Sequence, residues 1–437
     1  MISTLRNAWK IPELRNKLIF TLLIIIAYRF GSVVPAPFLD AEALKELMAG
    51  VGQSGSALGY INMLTGGAFS FATLFALGIT PYINASIIMN LLTVAIPPLE
   101  RMAKEGETGR KKIAAITRVV TVALGLILGT AYFIFLHNSG ITLFKEGFAF
   151  WFSAVVIILT FTAGSALIMW MGEQINEKGV GNGISVILFA GIVARLPVTV
   201  GQVWGYIQLA IENPSGAGQY FVYAPLFIAL FLAVIWVIIF MNDSERRINI
   251  QYAKKVVGRK VYGGQSSHMP IKVTMSGVMP IIFASAFLSI PSTIELFVGE
   301  QTGFWGGFLA AFSSTGWVYL LLYFLFIVIF AYFYMTIQYN PVEMANNLKH
   351  SNGTIPGIRP GKPTSDFIAK ILGKITLIGA LFLAGVAIIP IIYGNLTGTQ
   401  ALSMGGTSII IMVGVALETV KQMESQMMMR HYKGFLD

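Results

Sequence analysis

The sequence predicts an all-α polytopic membrane protein of ten transmembrane helices, arranged as two inverted five-helix halves. Three observations predict it. The composition is far too apolar for a soluble chain, the apolar residues gather into ten runs of spanning length, and one nine-residue phrase recurs 199 positions later in the equivalent run of the second set of five.

Composition excludes most alternatives. The chain of 437 residues is 55% hydrophobic and only 11% charged, with a mean hydropathy of +0.73, outside the balance of soluble domains. A helix needs about 20 largely apolar residues to cross ~30 Å of hydrocarbon. The alternating segments of a lipid-spanning barrel are absent, so helices must satisfy the backbone in lipid. There is no cysteine, which rules out disulfides, thiol catalysis and thiolate metal sites.

The runs lie near residues 18–34, 76–97, 119–136, 151–171, 184–203, 222–241, 273–291, 317–337, 375–393 and 403–420. The first follows basic residues and precedes "AEA" (41–43), the look of a cleavable signal peptide. Its removal would leave nine spans, which nothing else in the sequence asks for, and it is read as retained. Between the first and second runs, "LGYINMLTGGAFSFATLF" (58–75) is apolar but broken at Thr65, Gly66 and Gly67. It is either a segment re-entering the membrane under the shelter of protein or an amphipathic helix on the interface.

The second run opens with "GITPYINAS" (78–86) and the seventh with "GVMPIIFAS" (277–285). Gly78 falls on Gly277, Pro81 on Pro280, Ile83 on Ile282, Ala85 on Ala284 and Ser86 on Ser285. Small-residue helix contacts matching by chance are the alternative. As a true repeat, the odd separation turns the second copy upside down. The halves would be residues 1–205 and 220–437, joined by an external linker (206–219) whose "ENPSGAGQ" (212–219) has turn-forming, flexible content.

Charge orients the bundle. Of 30 Lys and Arg, 26 fall before the first run, after the last, or in the loops that an even topology places on that same side. The opposite loops carry Lys45 and Lys145 against seven acids. The positive-inside rule puts the 26, and both termini, in the cytoplasm.

Catalytic signatures are missing. His137, His268, His350 and His431 all lie in loops or the tail, and no HExxH exists. "GIRPGKPT" (357–364) fails the phosphate-loop spacing, with Pro363 where a Ser or Thr would bind magnesium. Ionisable residues in the spans reduce to Arg29, Arg195 and Glu418, each near an end. An ion-coupled transporter, the rival class, needs polar groups at the midplane where repeats meet. Instead Ile83, Ile87, Leu188, Ile192, Ile282 and Ile411 lie near the middle of the second, fifth, seventh and tenth runs. Apolar residues there face lipid or neighbouring helices by default. Ile83 with Ile87, and Leu188 with Ile192, are one helical turn apart, so each pair presents a single face. A ring of branched aliphatics closes a pore by excluding water.

The loops 242–272 and 338–374 are too long and basic to be mere connectors. Attraction to anionic lipid is one reading, and docking on RNA or an acidic protein surface is another. Tyr252, Tyr262 and the "IPGIRPG" turn (355–361) favour a shaped docking surface.

Four motifs carry a resemblance: "FALGITPYINASII" (75–88), "WMGEQINEKGVGNGISVILFAGIV" (170–193), "YAKKVVGRKVYGGQSSHMPIKV" (252–273) and "IPGIRPGKPT" (355–364). In this order they resemble bacterial SecY, the family of the central subunit of the Sec protein-translocation channel, essentially end to end. The resemblance implies an hourglass channel that passes secretory chains and opens sideways to the lipid bilayer between helices two and three on one side and seven and eight on the other. It implies a lateral gate with Pro81, Asn84, Ser86, Pro280, Phe283 and Ser285 on the repeated helices. It also implies a plug helix at residues 58–71, including Tyr60, Ile61, Leu64, Gly66, Gly67 and Phe69, and a pore ring of Ile83, Ile87, Leu188, Ile192, Ile282 and Ile411. Leu188 alone among the six is not isoleucine, a change of little volume.

Docking of the SecA ATPase motor or the ribosome is implied for Arg246, Arg247, Lys254, Lys255, Arg259, Lys260, Arg359 and Lys362. Arg359 and the Arg259, Lys260 pair fall on the positions that matter there. Lysine at 260, where arginine also occurs in the family, softens any bidentate contact. Implied partners are the small membrane subunits SecE and SecG, SecA, the ribosome, signal sequences and nascent polypeptides. No cofactor, metal, catalytic residue or small-molecule substrate is expected.

Overall fold

The computed structural model describes all residues except 1, 41–42, 45–64, 66, 253–254, 258–259, 263–265, 275–276, 299–306, 308–315, 399–405 and 434–437. Each of the ten apolar runs falls on helix. The first is preceded by a short helix α1 (Ile2–Lys10) and forms α2 (Pro12–Gly31). The second forms α3 (Thr80–Ala95), followed at a 101° bend by α4 (Pro97–Lys104). The bend is written in Pro97 and Pro98, because a proline drives the residue before it out of helical geometry, and Ile96 is extended at φ −110 and ψ 110.

Two long helices follow, α5 (Glu107–Asn138) and α6 (Gly147–Lys178), each of 32 residues. The fifth run is divided into α7 (Gly183–Val193) and α8 (Leu196–Glu212), with Pro197 at the start of the second piece. The last five runs give α9 (Tyr220–Asp243), α10 (Met279–Val298), α11 (Trp317–Gln338), α13 (Lys362–Thr397) and α14 (Gly406–Lys433). Between α11 and α13 lies α12 (Pro341–His350), capped by Asn340, whose side chain accepts from the amides of Val342 and Glu343.

Seven helices are long and apolar enough to cross a membrane, or eight if the bent α3–α4 pair is one span, among the described residues. The bundle is inside-out relative to a soluble protein. Leu23, Val119, Trp151, Trp236 and Leu321 are all exposed, and Phe148 is 86% exposed. Side chains of that size turned outward on spanning helices fit a hydrocarbon solvent.

The basic loop 242–272 folds as strands. β1 (Glu245–Tyr252) pairs antiparallel with β4 (Ser266–Lys272), while β2 (Lys255–Val257) and β3 (Lys260–Tyr262) form a separate two-stranded ribbon. The second basic loop adds β5 (Gly353–Thr354) to the free edge of β1, so the sheet order is β4-β1-β5. Alternation in "ERRINIQY" turns Ile248 and Ile250 inward. There they join Ile271, Leu348, Ile355, Ile368 and Leu372 in one apolar cluster. The two loops are therefore a single platform seated on the start of α13.

Candidate functional site

The helix α7 is fixed to α6 by its cap and by a close crossing. Asn182 caps α7 by accepting from the amides of Ile184 and Ser185, and the Asn176 carboxamide oxygen accepts from the Gly183 amide at 2.8 Å. A methyl group on Gly183 would overlap the Gly172 carbonyl oxygen, so the crossing of α6 and α7 requires glycine here. The Val180 amide donates to Thr21 Oγ1 at 3.1 Å, which ties the same corner to α2.

This anchoring presents Leu188 and Ile192 to α14. Leu188, Ile192, Ile282 and Ile411 lie in one apolar cluster, each 7% exposed or less, and Ile83 packs against it. The cluster draws on helices from the first five runs and from the last five. Ile87, one turn further along α3, is buried in the adjoining cluster with Val234, Ile281, Phe283 and Tyr323, and Ile83 touches both clusters. The structure thus brings five of the six ring positions together and places the sixth next to them. Burying each such side chain contributes about 1.5–3 kcal/mol.

The two repeated helices begin alike. Gly78 and Gly277 have φ of +57 and +58, a left-handed conformation that glycine adopts freely. Each is followed by a helix whose second residue is proline, Pro81 in α3 and Pro280 in α10. Pro81, Pro280, Phe283 and Ser285 are buried, whereas Asn84 and Ser86 are half-buried. The Ser285 hydroxyl donates to the Ile282 carbonyl at 3.0 Å. Phe283 meets Phe330 and Tyr334 of α11 edge-on, at centroid distances of 5.8 and 6.2 Å. α10 also packs on α5, closing a seam between the two sets of five helices.

Of the plug positions, Tyr60, Ile61, Leu64 and Gly66 lie outside the described residues. Gly67, at φ +95, and Phe69 lie within them. The described stretch from Gly67 to Ile79 runs as successive turns, held by the bonds Ala72 N–H to Phe69 O, Ala76 N–H to Thr73 O and Gly78 N–H to Phe75 O. Two phenols grip it: Tyr132 of α5 bonds to the Phe69 carbonyl, and Tyr28 of α2 reaches the Thr65 carbonyl at 3.4 Å. Nothing in the sequence marked either tyrosine, because a single phenol in an apolar run has no pattern.

On the side of the basic loops a cavity of about 400 Å³ opens beside the waist, its wall including Asn182, Ser185, Asn242, Lys272, Glu418 and Lys421. Lys421 is paired with Asp243 at 2.6 Å. On the platform Arg246, Arg247, Arg359 and Lys362 are exposed, and Arg247 reaches Glu245 at 2.7 Å. Arg359 rides on a turn shaped by Gly357 and Gly361, at φ +82 and +104, and its carbonyl accepts from Thr364 Oγ1 at 2.8 Å. Lys255 and Lys260 belong to the β2–β3 ribbon, and Lys254 and Arg259 lie outside the described residues.

The sequence profile of the SecY family matches residues 73–420. The chain belongs to the SecY family. It is 43% identical to the protein translocase subunit SecY of Bacillus subtilis strain 168 over 444 residues, covering all of both chains. It is 40% identical to that of Streptomyces coelicolor, again over the full length of both. Among solved structures it is similar to a SecY channel in which the plug domain stabilises the closed state and maintains a membrane seal. That likeness has a TM-score of 0.67 at 18% identity, over 94% of this chain and 92% of the other. A canine Sec61 in a ribosome-channel complex follows the same fold with a TM-score of 0.61 at 16% identity, over 94% and 92% of the two chains.

The SecY match contains every waist and gate position and the whole basic platform. The plug positions precede it, so their assignment leans on the full-length relatives. Membership makes the chain a multi-pass membrane protein of the translocase family. The strands of the platform are the feature of this SecY-family fold that run-by-run hydropathy passes over.

Proposed function

We propose that this SecY-family chain is a passive protein-conducting channel. It passes unfolded secretory polypeptides across the bacterial plasma membrane and releases membrane segments sideways into lipid. The observation that carries this reading is the apolar waist, where aliphatic side chains from α3, α7, α10 and α14 meet. A contact made only of aliphatic groups closes against water and ions, yet makes no specific bond that an entering chain would have to replace. Residues 206–212 of the expected 206–219 linker belong to α8, so the halves 1–212 and 220–437 move about residues 213–219, and both termini are cytoplasmic.

The gate is the seam of α3 and α5 against α10 and α11. A signal sequence leaves through it by apolarity, each buried CH₂ contributing about 0.8 kcal/mol. Arg246, Arg247, Lys254, Lys255, Arg259, Lys260, Arg359 and Lys362 form the docking face for SecA or the ribosome, which supply the driving force, and SecE and SecG complete the membrane complex. The test is reconstitution of the chain with its small subunits in vesicles. A nucleotide-driven motor should carry a secretory precursor into a protease-protected lumen. Precursor left fully digestible, or ion-driven accumulation of a small solute by the chain alone, would overturn the reading.

A further inference from the structure

We propose that α1 is a second hinge: a cytoplasmic strap that keeps the halves joined along α14 while the gate seam parts. This rests on the channel reading and adds to it a fixed axis of opening. By sequence α1 belongs to the first half. It nevertheless packs both on α2 and on α14, the last helix of the second half.

The attachment is compact. Ala8, Leu14, Val180 and Met423 are buried together in one cluster, with Ile11 and Val420 packed against it. Thr4, itself buried, donates its hydroxyl to Glu424 Oε1 at 2.9 Å. Arg6, Trp9 and Lys10 face outward and are exposed, as suits a helix lying at a membrane surface with cations toward the headgroups.

The position of the strap matters more than its strength. The gate seam joins α5 to α10, the strap joins α1 to α14, and the two share no helix. The strap holds α14 at its cytoplasmic end, around Val420 to Glu424. The covalent linker between α8 and α9 joins the halves at the opposite face of the membrane. Attachments at the two faces define an axis across the bilayer. Rotation about that axis parts the gate and leaves the strap's apolar cluster buried, whereas separating the halves as rigid blocks would expose the cluster to water.

The absence of native cysteine allows a direct test. Thr4→Cys and Glu424→Cys are introduced together, the complex is reconstituted with its motor, and the pair is bridged by a short bis-maleimide. The bridged channel is expected to carry precursor within about twofold of the same protein left unbridged, since a hinge does not open. A larger loss on bridging overturns the hinge while leaving the channel reading intact. A wild-type complex that carries no precursor overturns the channel reading and the hinge with it. A second variant, Ala8→Glu, drives a carboxylate into the cluster and is expected to raise resting ion conductance, because the halves lose their fixed axis. Conductance equal to wild type overturns the proposal.

Discussion

The Tyr132 hydroxyl donates to the carbonyl oxygen of Phe69 while the two rings stack at a centroid distance of 4.3 Å. Both residues are buried, in a cluster with Phe133, Leu136, Ile157 and Phe161. One side chain of α5 therefore holds the stretch leading into α3 by its backbone and its ring together. Tyr132→Phe keeps the ring and removes one of the two hydrogen bonds to the Phe69 carbonyl, the other coming from the Ala72 amide, at a cost of about 0.5–1.5 kcal/mol. We expect greater resting ion conductance in a planar bilayer and a larger increase for Tyr132→Ala. Conductance unchanged in both would separate this contact from sealing.

The waist gives the second prediction. Ile83→Asn or Ile282→Asn places an amide among Leu188, Ile192 and Ile411 and should hydrate an otherwise apolar contact. Single-channel recordings should show a leak in the resting mutant that wild type lacks. Silence in both mutants would remove these residues from the seal.

Close approach at Gly183 gives a third. Gly183→Ala collides with the Gly172 carbonyl and pushes α7 off α6, an overpacking cost of about 1–3 kcal/mol. Gly201→Ala on α8 meets nothing within 4 Å and gains about 0.8–1.0 kcal/mol of helix propensity. Thermal unfolding in detergent should move down for the first variant and hold or rise for the second.

The paired glycines separate strain from crowding. Gly78→Ala and Gly277→Ala each force a side chain into the left-handed region, at about 1–2 kcal/mol. Only at Gly78 does the new methyl also meet Thr65 Cγ2, at 2.7 Å, whereas Gly277 has open space. The Gly78 variant should lose more stability, and equal losses would mean that Thr65 moves aside freely.

Charge reversal at Arg359 tests the platform. Arg359 is exposed on a turn set by two glycines, so Arg359→Glu should leave the thermal midpoint unchanged. Its effect should fall on pull-down of the motor or the ribosome, which loses a cation and gains a repulsion. Undiminished binding would take Arg359 off the docking face.

Much of this was legible in residue order alone. The ten apolar runs all fall on helix, because in hydrocarbon the backbone has no other partner than itself. Pro97 and Pro98 already wrote the bend after α3, and the repeated "G..P" phrase wrote the left-handed start shared by α3 and α10. The sheet was less visible: Ile248 and Ile250 alternate correctly, but the strand reads as a basic loop until Ile355, more than 100 residues away, closes its apolar face. Ile87 shows the same limit, since helical spacing puts it on the face of Ile83 and cannot say which of two clusters receives it.

The sequence by itself determined the medium the protein lives in, the number of apolar runs and the gathering of its cations into alternate loops, because solvation and helix geometry act locally along the chain. Tertiary structure decided which aliphatic residues from distant helices meet at the waist, how Tyr132 reaches Phe69, and that α1 crosses to α14. Those contacts join residues tens to hundreds of positions apart. Apolar side chains carry no pairing code in sequence, so only the packed shape of the bundle selects their partners.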